Sequence, residues 1–450
     1  MKIDHNFFNE RRKNYLHFDQ SISSEIIFKY VTDPKNIEQH SFLPFMHFTM
    51  TSQKVEKQYC TKKKKYIVRK KKPKEREIKY ASHLDSAIYA YYSLQLSSLY
   101  EELLTKNLLT ECVLAFRKNP NYPSNIHIAK DVFNEIKQRQ NCSVLCVDIK
   151  GFFDNLDHKL LKDSWNKILN TSFLPKDHYQ VYKSITKFSY VDKYELLKIL
   201  QLSPNKKHND LTRICSIKEF RQLVRKKNLI RKNEKNKGIP QGSSISAALS
   251  NFYMLSFDDF IKHKVDRIGG KYYRYCDDIL IICNIGDDKN ILLEIQKSIS
   301  KINLEIQTDK TQILQFKNGI TVNNEKLQYL GFTYDGKQIL LRDSGLTKYS
   351  HKVMKVVKMT NNHLIRINCS RLRKNQPLLK LNKKHIYYRF SYLGKRNYIT
   401  YALRAARIMN EPAIKKQVKP HWARLKKHLL LREELHNPNY LLERIQRKGK

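Results

Sequence analysis

Apolar residues recur along the chain with two periods, and the change from one to the other marks the predicted elements. Residues 81–106 carry apolar positions at helical spacing, Ala87, Ala90, Tyr91, Leu94 and Leu99 among them, and predict a packed amphipathic helix. Ser143-Val-Leu-Cys-Val-Asp-Ile149 is a short apolar run broken by an acid near its end, which predicts a buried strand. Asp157, just before His-Lys-Leu-Leu161, reads as the N-cap of a helix. Lys271-Tyr-Tyr-Arg-Tyr-Cys-Asp-Asp-Ile-Leu-Ile-Ile-Cys-Asn284 reads as strand, two acids, strand, a hairpin whose tip presents carboxylates. A helix over about 288–302, short strands near 312–316 and over 327–341, and helical spacing in Tyr401-Ala-Leu-Arg-Ala-Ala-Arg-Ile-Met409 follow. Residues 165–237 read as helical and basic, and no internal repeat is present.

Charge changes this picture. The 450 residues hold 86 Lys+Arg against 42 Asp+Glu, a formal charge of +44, so a polyanion must neutralise the protein. Nucleic acid is the expected partner, with an anionic membrane surface second. Residues 351–450 hold 26 Lys+Arg and 4 Asp+Glu, a net +22, and read as a separate basic helical lobe. A second block of charge lies in the run from Thr61 to Tyr80. There Tyr66-Ile-Val68 predicts a strand, Lys72-Pro-Lys-Glu75 a turn, and Arg76 to Tyr80 a return strand. A solvated basic tail or localisation signal is the alternative. No apolar run reaches 18 residues and the first residues lack an apolar core and cleavage site, so a cytoplasmic protein without membrane contact is expected. Eight cysteines without CxxC spacing predict reduced thiols and no structural zinc.

The candidate chemistry lies in carboxylates at strand ends. Asp148 ends one strand, and Asp277 and Asp278 stand between two others. Hard cations take oxygen ligands and keep several waters, so a few carboxylates plus substrate phosphates complete a Mg²⁺ shell. Two such ions activate a 3′-hydroxyl and stabilise leaving pyrophosphate. Adjacent strand residues point to opposite faces, which favours Asp277 over Asp278 as a direct ligand.

Four segments in order, Val147-Asp-Ile-Lys-Gly-Phe-Phe-Asp-Asn-Leu-Asp-His158, Gly238-Ile-Pro-Gln-Gly-Ser-Ser244, Tyr275-Cys-Asp-Asp278 and Leu327-Gln-Tyr-Leu-Gly-Phe332, resemble motifs A, B, C and E of reverse transcriptases. The resemblance covers roughly residues 62–343. It implies an α+β right-hand polymerase with palm, fingers and helical thumb. The expected division is an N-terminal extension over 1–60, fingers over 61–141, a palm over 142–343 with an insertion at about 165–237, and a thumb over 344–450. Asp148, Asp277 and Asp278 become the catalytic and metal-binding acids, holding two Mg²⁺ with Mn²⁺ as an alternative. Phe153 falls where the family places a ring against the incoming sugar, favouring deoxynucleotides, with a core Phe as the other reading. Gln241 and Gly242 match the nucleotide-pocket turn, where glycine lets the backbone approach the substrate. Leu330 and Gly331 match the turn that holds the primer end. Ala115-Phe-Arg-Lys118 resembles the fingers segment that grips the triphosphate, with Arg117 as its guanidinium. Lys72, Lys74 and Arg76 are candidates for template or triphosphate contact, against plain solvated charge. Lys310 falls where the family's motif D lysine protonates pyrophosphate, against an ordinary surface lysine.

The motif A wording resembles group II intron and other bacterial enzymes more than retroviral ones. No HNH or zinc motif, retron Asn-Ala-x-x-His or Val-Thr-Gly element, or RNase H acid set is recognisable. Tyr-Cys-Asp-Asp and stand-alone size resemble defence-associated, abortive-infection-like antiphage reverse transcriptases. The expected function is synthesis of cDNA from dNTPs on an RNA template, a structured noncoding RNA in antiphage defence, with oligomeric state open. The alternatives are a retron- or group II intron-type enzyme without a defence role, and an RNA-dependent RNA polymerase.

Overall fold

The computed structural model describes residues 4–12, 14–53, 55–60, 65–70, 72–204, 208, 210–433 and 437–446. The chain divides into two compact units. One comprises Met1–Arg117, Leu145–Ile281 and Lys289–Gln312; the other comprises Lys118–Val144, Ile282–Asp288 and Ile313–Lys450.

In the first unit, strands β1 (Phe45–Ser52), β2 (Val55–Cys60), β3 (Lys65–Lys70) and β4 (Lys74–Tyr80) form a long antiparallel ribbon. β1 pairs with β4 from Met46↔Tyr80 to Ser52↔Lys74, and β2 with β3 from Val55↔Lys70 to Cys60↔Lys65. The expected cationic hairpin exists, but its arms differ from those expected. Residues 76–80 return against Met46–Met50 rather than against 66–68, so the ribbon draws its first arm from the supposed N-terminal extension. Pro73 explains the misreading. It has no N–H to give to a ladder, and it interrupts the second arm without reversing it. Residues 61–64 and 71 of the basic run lie outside the described residues.

The insertion at 165–237 is not wholly helical. It supplies β6 (Ser189–Asp192) and β7 (Arg231–Lys232), giving a four-stranded sheet of order β4-β1-β6-β7 with β1 and β6 parallel. Phe18 and Met46 share one apolar core with Val191, Leu196, Ile214 and Val224. The N-terminal residues and the insertion therefore form one packed body, because neither could bury its apolar side alone.

The helix predicted over 81–106 spans His83–Lys106, with the Ser82 side chain accepting from Asp85 N. Its buried face runs through Ile88, Tyr89, Tyr92, Leu96, Tyr100 and Leu104. Of the five apolar positions named from the helical spacing only Ala87 is buried, since apolar residues surround this helix and no side dominates. Helix His158–Leu169 starts as predicted, with Asp157 Oδ1 accepting from Leu160 N at 3.1 Å.

The strands that carry the acids are β5 (Cys142–Asp148), β8 (Lys271–Tyr275) and β9 (Asp278–Cys283). With β10 (Gln312–Lys317) and β11 (Ile320–Thr321) they make a five-stranded sheet of order β11-β10-β5-β9-β8. β9 is a continuous buried run from Ile279 to Cys283, as expected of a central strand.

The second unit holds helix Asn125–Arg139, the small sheet β12 (Leu327–Tyr329), β13 (Phe332–Tyr334), β14 (Ile339–Leu341), and a helical array. That array begins with Asp343–Arg373 and continues through Lys383–Phe390, Tyr398–Ile408, Pro412–Val418, Pro420–Glu433 and Pro438–Gln446. Among the described residues no helix is long and apolar enough to cross a membrane. The seven cysteines whose side chains are described are free, and none is paired in a disulfide.

Candidate active site

Arg274 is the unexpected element beneath the acidic turn. It interrupts the apolar run of β8 and its side chain is wholly buried. Nε and Nη2 donate to Asp258 Oδ1 and Oδ2, each at 2.6 Å, in the two-pronged geometry that makes such pairs strong. Nη1 donates to Asn251 Oδ1 and to the Cys276 carbonyl, both at 3.1 Å. Tyr272 Oη also donates to Asp258 Oδ1, at 2.6 Å, and Asn251 Nδ2 donates to the Ala115 carbonyl at 2.9 Å. Burial opposes the charge on Arg274, but attraction and hydrogen bonds from Asp258 outweigh it and raise the guanidinium's pKa. The network thus ties β8, helix Leu255–Arg267 and helix Ser246–Tyr253 to the turn. Cys276 takes φ +61, a left-handed conformation that costs a side-chain-bearing residue about 1–2 kcal/mol. The Arg274 bond to its carbonyl holds that conformation just before Asp277.

At the turn, the end of β5 meets the start of β9, with Ile149 N donating to the Asp277 carbonyl at 3.2 Å. The Asp148 and Asp278 carboxyls lie within hydrogen-bonding reach of each other. Although Asp278 is an exposed residue, desolvation in the crowded turn raises its carboxyl to about 6, aided by the charges of Asp277 and Asp148 and opposed by Lys310. Sequence parity favoured Asp277 over Asp278 as a direct metal ligand; in the structure Asp278 lies close to both Asp277 and Asp148. Asp277 belongs to the turn and only Asp278 to the strand, so simple alternation does not apply. Lys310, in the turn Thr308–Lys310, donates Nζ to Asp148 Oδ2. Gln307 N donates to the Asp148 carbonyl at 2.7 Å and fixes that turn on the strand end. Among the described residues no three His, Cys, Asp or Glu side chains are grouped to hold a metal ion by themselves. A pair of adjoining carboxylates, one on an exposed residue, fits instead a hard cation that takes its other ligands from phosphate and water.

Beside the acids, two glycines let backbone segments touch. Gly238 has φ +87, and a Cβ there would lie 2.9 Å from the Asp154 carbonyl oxygen. Its N–H donates to Leu156 O at 2.8 Å, while Ile239 N donates to Phe153 O at 2.9 Å. The short helix Phe152–Asn155 is thereby bound to the segment that follows the insertion, with Phe152 buried and Phe153 half-buried. Gly242 has φ +116, and its Cβ would meet the Lys79 carbonyl at 2.8 Å and Ile78 Cγ2 at 3.3 Å. Lys79 N donates to the Gln241 carbonyl at 2.8 Å. Phe153, Gln241 and Gly242 are thus linked, through these backbone contacts, to one another and to β4.

Arg117 does not join them. Its side chain is 3% exposed and grips Glu101 with Nε at 2.8 Å and Nη2 at 2.5 Å. Nη1 donates to the carbonyls of Thr110 and Val113. A guanidinium so committed closes the end of its own loop and has no fork left for a triphosphate. Lys74 and Arg76 are exposed on β4, and Lys72 is exposed just before it. Arg76 precedes Ile78 by two residues on the same strand face, roughly 7 Å of strand.

Leu330 and Gly331 belong to the second unit. They form a two-residue turn between β12 and β13 with φ +45 and +92, the left-handed pair that a tight hairpin requires. Asn125 Nδ2 donates to the Leu330 carbonyl at 3.0 Å, and Arg342 N to the Gly331 carbonyl at 2.9 Å.

Two residues of evident importance escaped sequence reasoning, Arg274 and Asp258. The available signal was a charge inside an apolar strand, which is buried only when paired.

Residues 61–334 match the family model of the reverse transcriptase (RNA-dependent DNA polymerase) domain, well over half of the chain. No curated protein matches the sequence. Similar solved structures include apo telomerase from Candida tropicalis, at 13% identity over 72% of this chain and 52% of that one, with TM-score 0.39. Telomerase from Candida albicans in complex with a telomeric RNA fragment matches at 11% identity over 92% and 62%, with TM-score 0.40. The RNA-dependent RNA polymerase of a human picobirnavirus matches at 10% over 65% and 43%, with TM-score 0.34. The chain spans about half to three-fifths of the length of the two telomerases, and likenesses this distant carry nothing about the reaction. With motifs A, B and C brought together by strand ends and glycine contacts, and with the family model matched across them, the chain belongs to the reverse transcriptase (RNA-dependent DNA polymerase) family and has its α+β right-hand polymerase fold.

Proposed function

We propose that the protein is an RNA-directed DNA polymerase whose acids Asp148, Asp277 and Asp278 form the reaction centre. The observation that carries this reading is the meeting of Asp148 and Asp278 at adjoining strand ends, with Lys310 on Asp148. The family generally uses divalent metal ions. Mg²⁺, two per site, suits the all-oxygen donor set, and Mn²⁺ is the nearest substitute. When bound there, such ions lower the pKa of a primer 3′-hydroxyl and offset charge on the departing pyrophosphate. The chain's own residues do the remaining work. Gln241 and Gly242 offer a close backbone surface to the incoming dNTP, and Phe153 sets the sugar preference. Lys310 Nζ holds a proton that it can give to pyrophosphate. With Arg117 committed to Glu101, Arg76 replaces it as the cation for the triphosphate, while Lys72 and Lys74 serve the template. Leu330 and Gly331 hold the primer end, and the basic lobe over 344–450 grips the duplex by its phosphates.

The reading extends to a cytoplasmic enzyme of antiphage defence that copies a structured noncoding RNA. Its support is Tyr275-Cys-Asp-Asp278 in place of the commoner Tyr-Ala-Asp-Asp. Sequencing RNA and DNA that co-purify with the protein tests this; absence of both a structured RNA and new DNA contradicts it. The polymerase reading is tested by offering dNTPs and rNTPs on a primed RNA template. Preferential dNTP incorporation is expected, and preferential rNTP use overturns the reading in favour of an RNA polymerase.

A further inference from the structure

The second unit contains a cavity that neither the reaction centre nor the primer turn uses. It has a volume of about 560 Å³ and lies among helices Lys383–Phe390, Tyr398–Ile408, Pro412–Val418 and Pro420–Glu433. That is within the range, roughly 300–1,000 Å³, of pockets that take small organic groups. Its walls are apolar and aromatic, chiefly Phe390, Tyr392, Ile399, Leu403 and Trp422. Tyr392 is 52% exposed and meets the Trp422 ring edge-on at 5.3 Å, and Tyr387 packs against the same ring at 5.1 Å. The rim carries Lys415, Lys416 and Lys419, all exposed, and no carboxylate lines the cavity. Among the described residues none of these three lysines has an ion-pair partner. Lys426 lies over the Trp422 ring at 5.4 Å.

We infer that this cavity receives an unpaired base of single-stranded RNA, its phosphates held by Lys415, Lys416 and Lys419. The inference rests on the reading of the protein as an enzyme that handles RNA. Two features of the pocket specify the ligand. An apolar aromatic wall takes a flat π-face without demanding hydrogen bonds, and base–aromatic stacking contributes about 1–3 kcal/mol per base whatever its identity. A cation rim with no opposing acid selects an anion, and here it belongs to a stretch of net charge +22 over residues 351–450. A duplex cannot satisfy the cavity, because its bases are stacked and paired. The bound segment is therefore a single strand adjoining the duplex, which gives the basic lobe a second task beside gripping phosphates.

The test uses the full chain and a primed RNA template bearing one 2-aminopurine in its single-stranded overhang. Stacking on the Tyr392–Trp422 wall quenches that fluorophore. Wild type is expected to quench it, with the overhang strengthening binding about 5- to 150-fold over the blunt duplex, the range that one stacked base supplies. Tyr392→Ala, at an exposed site, is expected to lose the quenching and the overhang advantage while binding blunt duplex as before. The double variant Lys415→Gln/Lys419→Gln is expected to lose both as well, its overhang advantage being measured against its own blunt-duplex affinity, which falls with the two lost cations. Absence of quenching in wild type, or quenching unchanged in both variants, overturns the inference. So does displacement of the probe by oleate with no effect of the overhang, which would assign the cavity to an anionic lipid. DNA synthesis is measured on the same preparations. An active wild type that fails to quench refutes the pocket alone, whereas failure to synthesise DNA or to bind duplex refutes the reading on which it rests.

Discussion

Arg274→Met is the most informative single perturbation of the site's foundation. Methionine keeps the apolar stem but removes every donor, leaving the Asp258 carboxylate buried with, among the described residues, only the Tyr272 hydroxyl donating to it. It also strips Asn251 Oδ1 and the Cys276 carbonyl of the Nη1 donor. Breaking one side of a wholly buried ion pair costs about 3–5 kcal/mol, chiefly from the stranded charge. That loss falls on β8 and its turn, so it is best read locally, by hydrogen exchange of the β8 and β9 amides in the native protein. Exchange there should quicken about 10²- to 10⁴-fold, at one decade per 1.4 kcal/mol. The double variant Arg274→Met/Asp258→Leu removes the stranded charge and should recover part of the loss, a coupling measurable by the double-mutant cycle. DNA synthesis by Arg274→Lys, which keeps charge but loses the fork, should fall in kcat with little change in dNTP KM, since the turn shifts and the nucleotide surface does not. Exchange in Arg274→Met within tenfold of wild type, or a double variant no better than the single, refutes the reasoning.

Further outcomes follow from the same contacts. Gly238→Ala forces a Cβ against the Asp154 carbonyl at a left-handed φ, and should cost about 1–3 kcal/mol while raising dNTP KM; thermal melting and steady-state kinetics check both effects. Arg117→Ala should lower the melting temperature yet leave dNTP KM unchanged, because its guanidinium serves Glu101 and loop carbonyls; a large rise in KM would restore it as a triphosphate ligand. Burial lowers the His17 imidazole from 6.5 to about 4, Asp19 opposing. The folded state then binds its proton less readily than the unfolded chain, so stability is complete above pH 6.5 and declines as pH falls toward 4. Urea midpoints between pH 7.5 and 4.5 should show that decline, and His17→Phe should flatten it.

That Asp148, Asp277 and Asp278 stand at strand ends was legible, because the short apolar runs beside them predict strands. Gly242 was legible through the resemblance as a turn residue, and Gly238 only as part of motif B; which backbone each one lets close could not be read. Those partners, Asp154 and Lys79, are distant in sequence. Arg117 misled for the same reason, since its partner Glu101 lies a helix away and a tetrapeptide carries no sign of it. The ribbon's true register escaped because the basic run has like charges without alternation, and because Pro73 resembles a turn where it is only a break. The buried face of helix His83–Lys106 escaped because apolar residues surround it. Long-range pairing, not local pattern, decided each of these.

The central claim is that the paired acids perform DNA synthesis on RNA. Its most direct test is primer extension on an RNA template by wild type and by Asp277→Ala/Asp278→Ala, with RNA affinity measured alongside. The predicted result is dNTP-dependent extension by wild type, its loss in the double variant, and RNA binding largely retained. Extension that persists without these carboxylates, or a wild type that binds RNA and never extends a primer, would contradict the account.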